Sequence, residues 1–212
     1  MSHSPSPTGT APLTARYDGA ASVWGDKMRT LGYYDAYLGF LSSQAERPAP
    51  DMRVADIGCG SGAFAEAWAA IHGPGGRMTL LDPSGPMLDR AGAALARRGL
   101  QAERVQGLLG PATGSIEADH ILAAHIIEHC PDPVEALLQM RAMTRPGGQL
   151  WLVASKPHWC NAIIWLQWRH RTFQPHDIEK HLTAAGWQLE SEYAFPSGPP
   201  SRTSRGYIAR AV

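Results

Sequence analysis

Residues 53 to 62 read Arg53-Val-Ala-Asp-Ile-Gly-Cys-Gly-Ser-Gly62. The run Arg53 to Ile57, with Val54 and Ile57, reads as a short buried strand. It opens into glycines at alternate positions (Gly58, Gly60, Gly62). Glycines after a buried strand permit a tight bend and let a ligand approach bare backbone where the next helix begins. The segment therefore predicts a strand, a turn and a helix, with a binding function at the turn.

Working outward, strand and helix patterns alternate. Arg77 to Asp82 reads as a strand, Gly85 to Arg98 as a helix and Ala102 to Gln106 as a strand. Asp119 to Ala124 reads as a strand, Val134 to Met143 as a helix and Gly148 to Ala154 as a strand. Apolar strands separated by helices pair in parallel through right-handed crossovers, so an α/β sheet covered on both faces is expected. After Ser155 the pattern changes. A helix over Pro175 to Ala185, strands over Trp187 to Ala194 and Arg205 to Ala211, and the Pro-rich stretch Pro196 to Ser201 between them predict a closing antiparallel hairpin. Upstream, apolar residues between Tyr17 and Leu41 recur at helical spacing and break near Gly32, predicting a helical cap.

Composition bounds the rest. Of 212 residues, 44% are hydrophobic and 18% charged, as for one globular domain, with residues 1–14 as a polar tail, 15–50 as the cap, 51–155 as the binding core and 156–212 as a substrate-side insertion with closing strands. Nineteen basic residues balance nineteen acidic ones, so no whole-chain field favours nucleic acid or an anionic membrane. No apolar run reaches the length of a membrane helix and the N-terminus lacks a secretory pattern, which predicts a cytoplasmic chain, monomeric or homodimeric. Cys59, Cys130 and Cys160 form no C-x-x-C pair, and the histidines form no ligand pattern beyond His125 and His129 at i, i+4, so no metal is expected.

The next chemical signal is Asp82, at the end of Met78-Thr-Leu-Leu-Asp82. Adjacent parallel strands would set it beside the glycine turn, where a carboxylate accepts hydrogen bonds from ribose hydroxyls. Gly58-x-Gly60-x-x-Ala63 also satisfies the dinucleotide fingerprint, with Asp82 lying 19 residues beyond Ala63. Asp56 separates the two cases. A carboxylate at that strand end repels a pyrophosphate and suits a cofactor carrying an ammonium and a sulfonium.

On these residues the chain resembles the class I S-adenosylmethionine-dependent methyltransferases, in the small-molecule branch that includes the quinone and menaquinone enzymes. Asp56-x-Gly58-x-Gly60-x-Gly62 is similar to the first family motif and Asp82-Pro-Ser-Gly-Pro-Met-Leu88 to the second. Ala118 to His125, followed by His129-Cys-Pro-Asp-Pro133, is similar to the fourth strand and its following turn, and Arg145-Pro-Gly-Gly148 to the turn before the fifth. The resemblance covers residues 52 to 190. It implies a Rossmann-like three-layer sandwich with a seven-stranded, mostly parallel sheet. It also implies S-adenosylmethionine as cofactor, with S-adenosylhomocysteine as product, held by Asp56, Gly58, Cys59, Gly60, Gly62, Asp82, Pro83, Met87, Leu108, Ala124 and His125. Relatives often carry an Asp after the third strand. This chain has Gly107-Leu-Leu109, so adenine recognition would rest on backbone groups and apolar packing.

Methyl transfer is an in-line displacement that mainly needs positioning and exclusion of water; a hydroxyl acceptor also needs a base, and His125 is the candidate. Tyr17, Trp159, Trp165, Arg169 and Arg171 are the candidate acceptor contacts: an apolar wall and an anion clamp that would suit an aromatic or apolar acceptor bearing an acidic group. Arg202 and Arg205 would add to the clamp, and Trp24 and Tyr34 of the cap would close over the cofactor. Two other readings stay open on the residues: an NAD(P)-dependent oxidoreductase, which needs an all-parallel continuation, and a non-catalytic protein that binds S-adenosylmethionine.

Overall fold

The structure is a computed structural model that describes residues 27–43, 49, 51–110, 113, 115–158 and 171–212. In chain order the elements are α1 (Tyr33–Leu41), β1 (Arg53–Ile57), α2 (Ala63–His72), β2 (Arg77–Asp82), α3 (Gly85–Ala96), β3 (Ala102–Gln106), β4 (Ala118–Ala124), a single 3-10 turn (Ile127–His129), α4 (Pro133–Ala142), β5 (Thr144–Ser155), α5 (Pro175–Ala184), β6 (Trp187–Tyr193), α6 (Gly198–Thr203) and β7 (Ser204–Ala211). The seven strands form one sheet in the order β3-β2-β1-β4-β5-β7-β6. β1 to β5 pair in parallel, and β7 runs antiparallel to both β5 and β6. Ile57 is level with both Leu81 and Ala123, which brings the tips of β2, β1 and β4 to a single edge.

Each strand buries alternate residues on opposite faces, as a two-residue period requires. Val54, Met78, Leu80, Leu122, Trp151, Val153 and Ile208 join α1, α2 and α3 in one core. Ala55, Ile57, Leu81, Ile121, Ala123, Leu150, Leu152 and Tyr207 join α4 and α5 in the other. Asp56 and Asp82 share the parity of Val54 and Leu80, so both belong to the face that carries the cap helix.

Local chemistry explains the starts of the helices. Asp132 caps α4 by accepting from the Val134 and Glu135 amides (2.8 and 3.3 Å), with Pro133 in the first turn. Ser84 caps α3 by accepting from Met87 N, with Pro86 in its first turn. Gly32 holds φ 83 and starts α1, where the break in the cap is expected. Phe40 of α1 is fully buried against Trp151 and Tyr193, with ring centroids 5.4 Å away in each case. A Cβ at Gly206 would lie 2.9 Å from Phe40 Cε2, so this glycine lets β7 pass close to the cap.

Two expectations change. Pro196 to Ser201 is not simply a loop: α6 begins at Gly198, because paired prolines suit the first turn of a helix, where no amide donor is needed. The turn Arg145-Pro-Gly-Gly148 is taken into β5, which starts at Thr144 opposite Ala118, with a register shift between Ala118 and His120.

Candidate functional site

The glycine turn is pulled onto β2 by the Gly58 and Cys59 amides, which donate to the Leu81 carbonyl (2.8 and 3.0 Å). All three motif glycines have positive φ, but their surroundings differ. A Cβ at Gly58 would lie 2.8 Å from Ile126 Cδ1, and one at Gly62 2.7 Å from Ala91 Cβ, so these two let β4's exit and α3 pack closely. At Gly60 a Cβ would meet nothing within 4 Å. Gly60 is the open floor of the turn.

Asp82 ties this floor in place: Oδ2 accepts from Gly60 N (2.8 Å) and Oδ1 from Ser84 N (2.9 Å). A carboxylate oxygen carries two lone pairs and can accept from more than one donor. Asp56 is 1% exposed and accepts from Ala65 N at 3.1 Å. Burial, reinforced by Asp82, pushes its carboxyl up to about 7; the Ala65 amide pulls the other way and no cation among the described residues acts on it. Cys59 is buried and its thiol is pushed well up by burial and both aspartates, which fits a filler rather than a nucleophile.

His125 leaves the tip of β4 with φ 56, the one non-glycine residue with positive φ among the described residues. Its amide donates to Val153 O (2.8 Å). Nδ1 lies 3.2 Å from Glu128 Oε1 and 3.1 Å from Ser155 Oγ, and Nε2 lies 3.5 Å from Ser204 Oγ. From the cap, Tyr33 packs edge-on against the imidazole at 5.5 Å, and its hydroxyl pairs with Thr203 Oγ1 at 2.8 Å. The buried Tyr37 hydroxyl is held well above its usual range by burial, then by Tyr33, Asp56 and Glu128. One cap side chain thus senses both the glycine turn and the His125 cluster.

Pro83 is half-buried; Gln106 Nε2 donates to its carbonyl. Leu108, just beyond β3, is 53% exposed, an unusual apolar side chain on the surface beside the Asp82 edge. Ala124 is half-buried at the tip of β4. Met87 is 2% exposed, so its side chain belongs to the interior. His129 lies on the 3-10 turn, its imidazole held below the usual range by burial.

Of the expected anion clamp, Arg171, Arg202 and Arg205 are among the described residues. Arg205 pairs with Glu192, and Arg171 donates to Pro131 O at 3.0 Å. Arg202 is exposed on α6. Tyr34 turns away to Arg29 and Arg98, which hold Glu66 between them. Tyr17, Trp24, Trp159, Trp165 and Arg169 lie outside the described residues. Among the described residues no three His, Cys, Asp or Glu side chains gather as a metal set. No helix among them is long and apolar enough to cross a membrane.

Sequence reasoning missed Glu128, Ser155, Thr203, Ser204, Tyr33 and Tyr37. The spacing His125-x-x-Glu128 at a strand exit was the available signal; the others meet only through the sheet order.

Two aspartates on one face, one of them pushed towards neutrality with no cation near it among the described residues, fit a ligand with a positive charge and a ribose. An uncovered glycine between them admits that ligand to the backbone. A pyrophosphate would meet repulsion at the same place.

A family model described as a methyltransferase domain matches residues 55–150. That span takes in the glycine turn, Asp82 and His125. Over that span the chain is similar to the methyltransferases. The chain is 31% identical over 154 residues to the ubiquinone biosynthesis O-methyltransferase of Parvibaculum lavamentivorans, covering 65% of this chain and 59% of that protein. Against the enzyme of the same description from Xanthomonas axonopodis it is 26% identical over 200 residues, covering 82% and 81%. A solved Burkholderia thailandensis 1,6-didemethyltoxoflavin-N1-methyltransferase with bound S-adenosylhomocysteine shares the fold, with a TM-score of 0.75, 18% identity and coverage of 100% of this chain and 93% of that one. The antiparallel β7 and these matches set aside the oxidoreductase reading.

Proposed function

We propose that this chain moves a methyl group from S-adenosylmethionine to an oxygen atom of a small organic acceptor, with His125 as the base. The reading rests on the shared edge: a glycine turn flanked by Asp56 and Asp82, and on the adjoining strand a histidine held in an uncommon backbone conformation. Strained backbone of this kind concentrates at functional sites. The relatives named as O-methyltransferases support oxygen as the atom modified, and the balanced charge of the chain supports a small acceptor over nucleic acid.

When bound, the cofactor supplies a methyl already activated by a positive sulfur. The chain's own residues do the rest. Asp82 accepts from ribose hydroxyls while it keeps Gly60 in place, and Asp56 becomes fully ionised beside the positive end. Leu108 offers adenine an apolar shelf. Pro83 and Ala124 line the same edge. Tyr33 and Tyr37 cover the edge and keep water from it. His125 Nε2 takes the acceptor's proton as its oxygen attacks, and the described arginines give no support to an acidic group on that acceptor.

Calorimetry and turnover test this. S-adenosylmethionine and S-adenosylhomocysteine should bind and NAD should not. With catechol and benzylamine as probes, transfer should favour catechol. His125→Ala should lower kcat by roughly 10² to 10⁴ with cofactor affinity unchanged within about threefold. Wild-type turnover of catechol by His125→Ala would remove the base.

A further inference from the structure

We infer that Glu128 is the positioning residue that fixes His125 in one tautomer, with the proton on Nδ1 and the lone pair on Nε2. The inference rests on the reading of His125 as the base and assigns the group that makes it one.

The glutamate side chain is 0% exposed and lies one turn beyond His125, at the start of the 3-10 turn. A carboxyl group so buried needs hydrogen-bond partners to offset its lost hydration. Its Oε1 accepts from the Ser155 amide at 2.7 Å, a short bond to the last residue of β5. That bond decides the tautomer. Because an amide can only donate, Oε1 is an acceptor in this geometry, and the same atom lies 3.2 Å from His125 Nδ1. With the Glu128 carboxyl ionised, a lone pair on Nδ1 would face an oxygen lone pair at that distance. A proton on Nδ1 turns the same contact into a charge-assisted hydrogen bond. Ser155 Oγ, 3.1 Å from Nδ1, does not reverse the choice, because a hydroxyl accepts or donates according to need.

With Nδ1 protonated, the neutral ring carries its lone pair on Nε2, the atom that approaches Ser204 Oγ at 3.5 Å. Nε2 can then take a proton from an acceptor hydroxyl. The proton leaves oxygen for nitrogen, and the imidazolium that forms sits beside the Glu128 carboxylate. The surroundings hold the ring in place for that step. The His125 amide is bonded to Val153 O, Tyr33 packs edge-on against the imidazole, and Tyr33 is itself anchored to Thr203. Glu128 also spans two strand ends, since the amide it accepts from belongs to β5 and the ring it orients follows β4. A lost carboxylate therefore loosens the register of the ring as well as its protonation.

Nitrogen-15 NMR on histidine-labelled protein reads the tautomer directly, with the His125 signal assigned by its disappearance in His125→Gln. We expect protonated Nδ1 and bare Nε2 in the wild type, and a mixed or reversed tautomer in Glu128→Leu. Glu128→Gln retains an Oε1 acceptor and the side-chain volume. It should keep the tautomer yet lower kcat roughly tenfold through loss of charge, with KM and cofactor affinity within about threefold. Wild-type His125 with the proton on Nε2 overturns the proposal. So does Glu128→Gln with wild-type kcat, a result that stands even if Glu128→Leu does not fold. Failure of the base reading appears elsewhere: the Nδ1 proton is seen, yet His125→Ala turns over at the wild-type rate, and Glu128 then positions nothing for the reaction.

Discussion

The two ends of the central sheet treat charge in opposite ways. At the amino edge a cavity of about 760 Å³ is lined by Arg53, Arg77, Arg145 and Arg210 among others. Most of this charge is matched. Arg53 pairs with Glu117 at 2.7 Å, Arg145 with Asp119 at 3.3 Å, and Arg210 with Glu190. At the carboxyl edge Asp56 and Asp82 share a face and accept from backbone amides, and among the described residues no cation acts on Asp56. A roomy hollow with balanced charge stabilises the fold and asks for no ligand. A narrower turn with unbalanced acid and bare backbone asks for a cation, which is why function is assigned to that end.

The sharpest way to break this contrast is pH, because Asp56 at one edge and His120 at the other are buried titratable groups with opposite signs of shift. Asp56 rises from 3.8 to about 7, so folding gains its full benefit below pH 3.8 and loses it as pH climbs through 7, about 4 kcal/mol in all. His120, at the amino edge, accepts from Trp151 Nε1 at 3.2 Å, and burial holds it down at about 4 instead of 6.5. Its contribution is present above pH 6.5 and is lost as pH falls towards 4, about 3 kcal/mol. Between pH 4 and 6.5 the two slopes oppose each other, so wild-type stability should stay nearly flat. Urea denaturation of Asp56→Asn should show stability rising with pH over that window, and of His120→Phe stability falling. Parallel slopes in both variants would break the contrast.

The same difference separates what the sequence made legible from what it hid. β1, β2 and β3 were legible to the residue, because each lies between turn signals and a neighbouring helix in a regular strand–helix alternation. Asp56, Asp82 and the glycine turn were legible because their chemistry is carried by local spacing. Glu128 was not, since its partners stand at 125 and 155 and only the β4–β5 pairing brings them together. α6 was hidden by its own prolines, which read as loop although they suit a first helical turn. Gly58, Gly60 and Gly62 look alike in sequence, and only packing shows that two of them face protein and one faces open space.

That last distinction gives the next effect in size. Gly62→Ala forces a Cβ to 2.7 Å from Ala91 Cβ at φ 83 and should cost roughly 2 to 4 kcal/mol of stability. Gly60→Ala meets no neighbour, so roughly 1 to 2 kcal/mol from the left-handed backbone is expected. Cofactor affinity should fall at least tenfold in Gly60→Ala, because the methyl covers the open floor. Thermal unfolding and calorimetry on both variants should thus rank them in opposite orders. The same ranking in both assays would mean that Gly60 is a packing glycine too.

Asp82→Asn follows, since an amide cannot accept at both of its positions. One of the bonds to Gly60 and Ser84 is lost together with a charged acceptor for ribose, which should weaken cofactor binding by about 1.5 to 3 kcal/mol, roughly ten- to 150-fold. Equal affinity would remove Asp82 from the site.

The smallest effect is the control that gives the others meaning. Arg145 is 49% exposed, and its single charge contact to Asp119 is long for an ion pair with strong geometry. Solvent screens such a pair, so Arg145→Ala should change stability by less than about 1 kcal/mol. Asp119 keeps the Arg53 amide at 2.9 Å as a donor, so the carboxylate left behind is not stranded. Cofactor affinity and turnover should not move, because the variant lies at the far end of the strands from Gly60. A fall of tenfold or more in either would show that the matched edge is coupled to the unmatched one, and the division of the sheet into a structural end and a binding end would no longer hold.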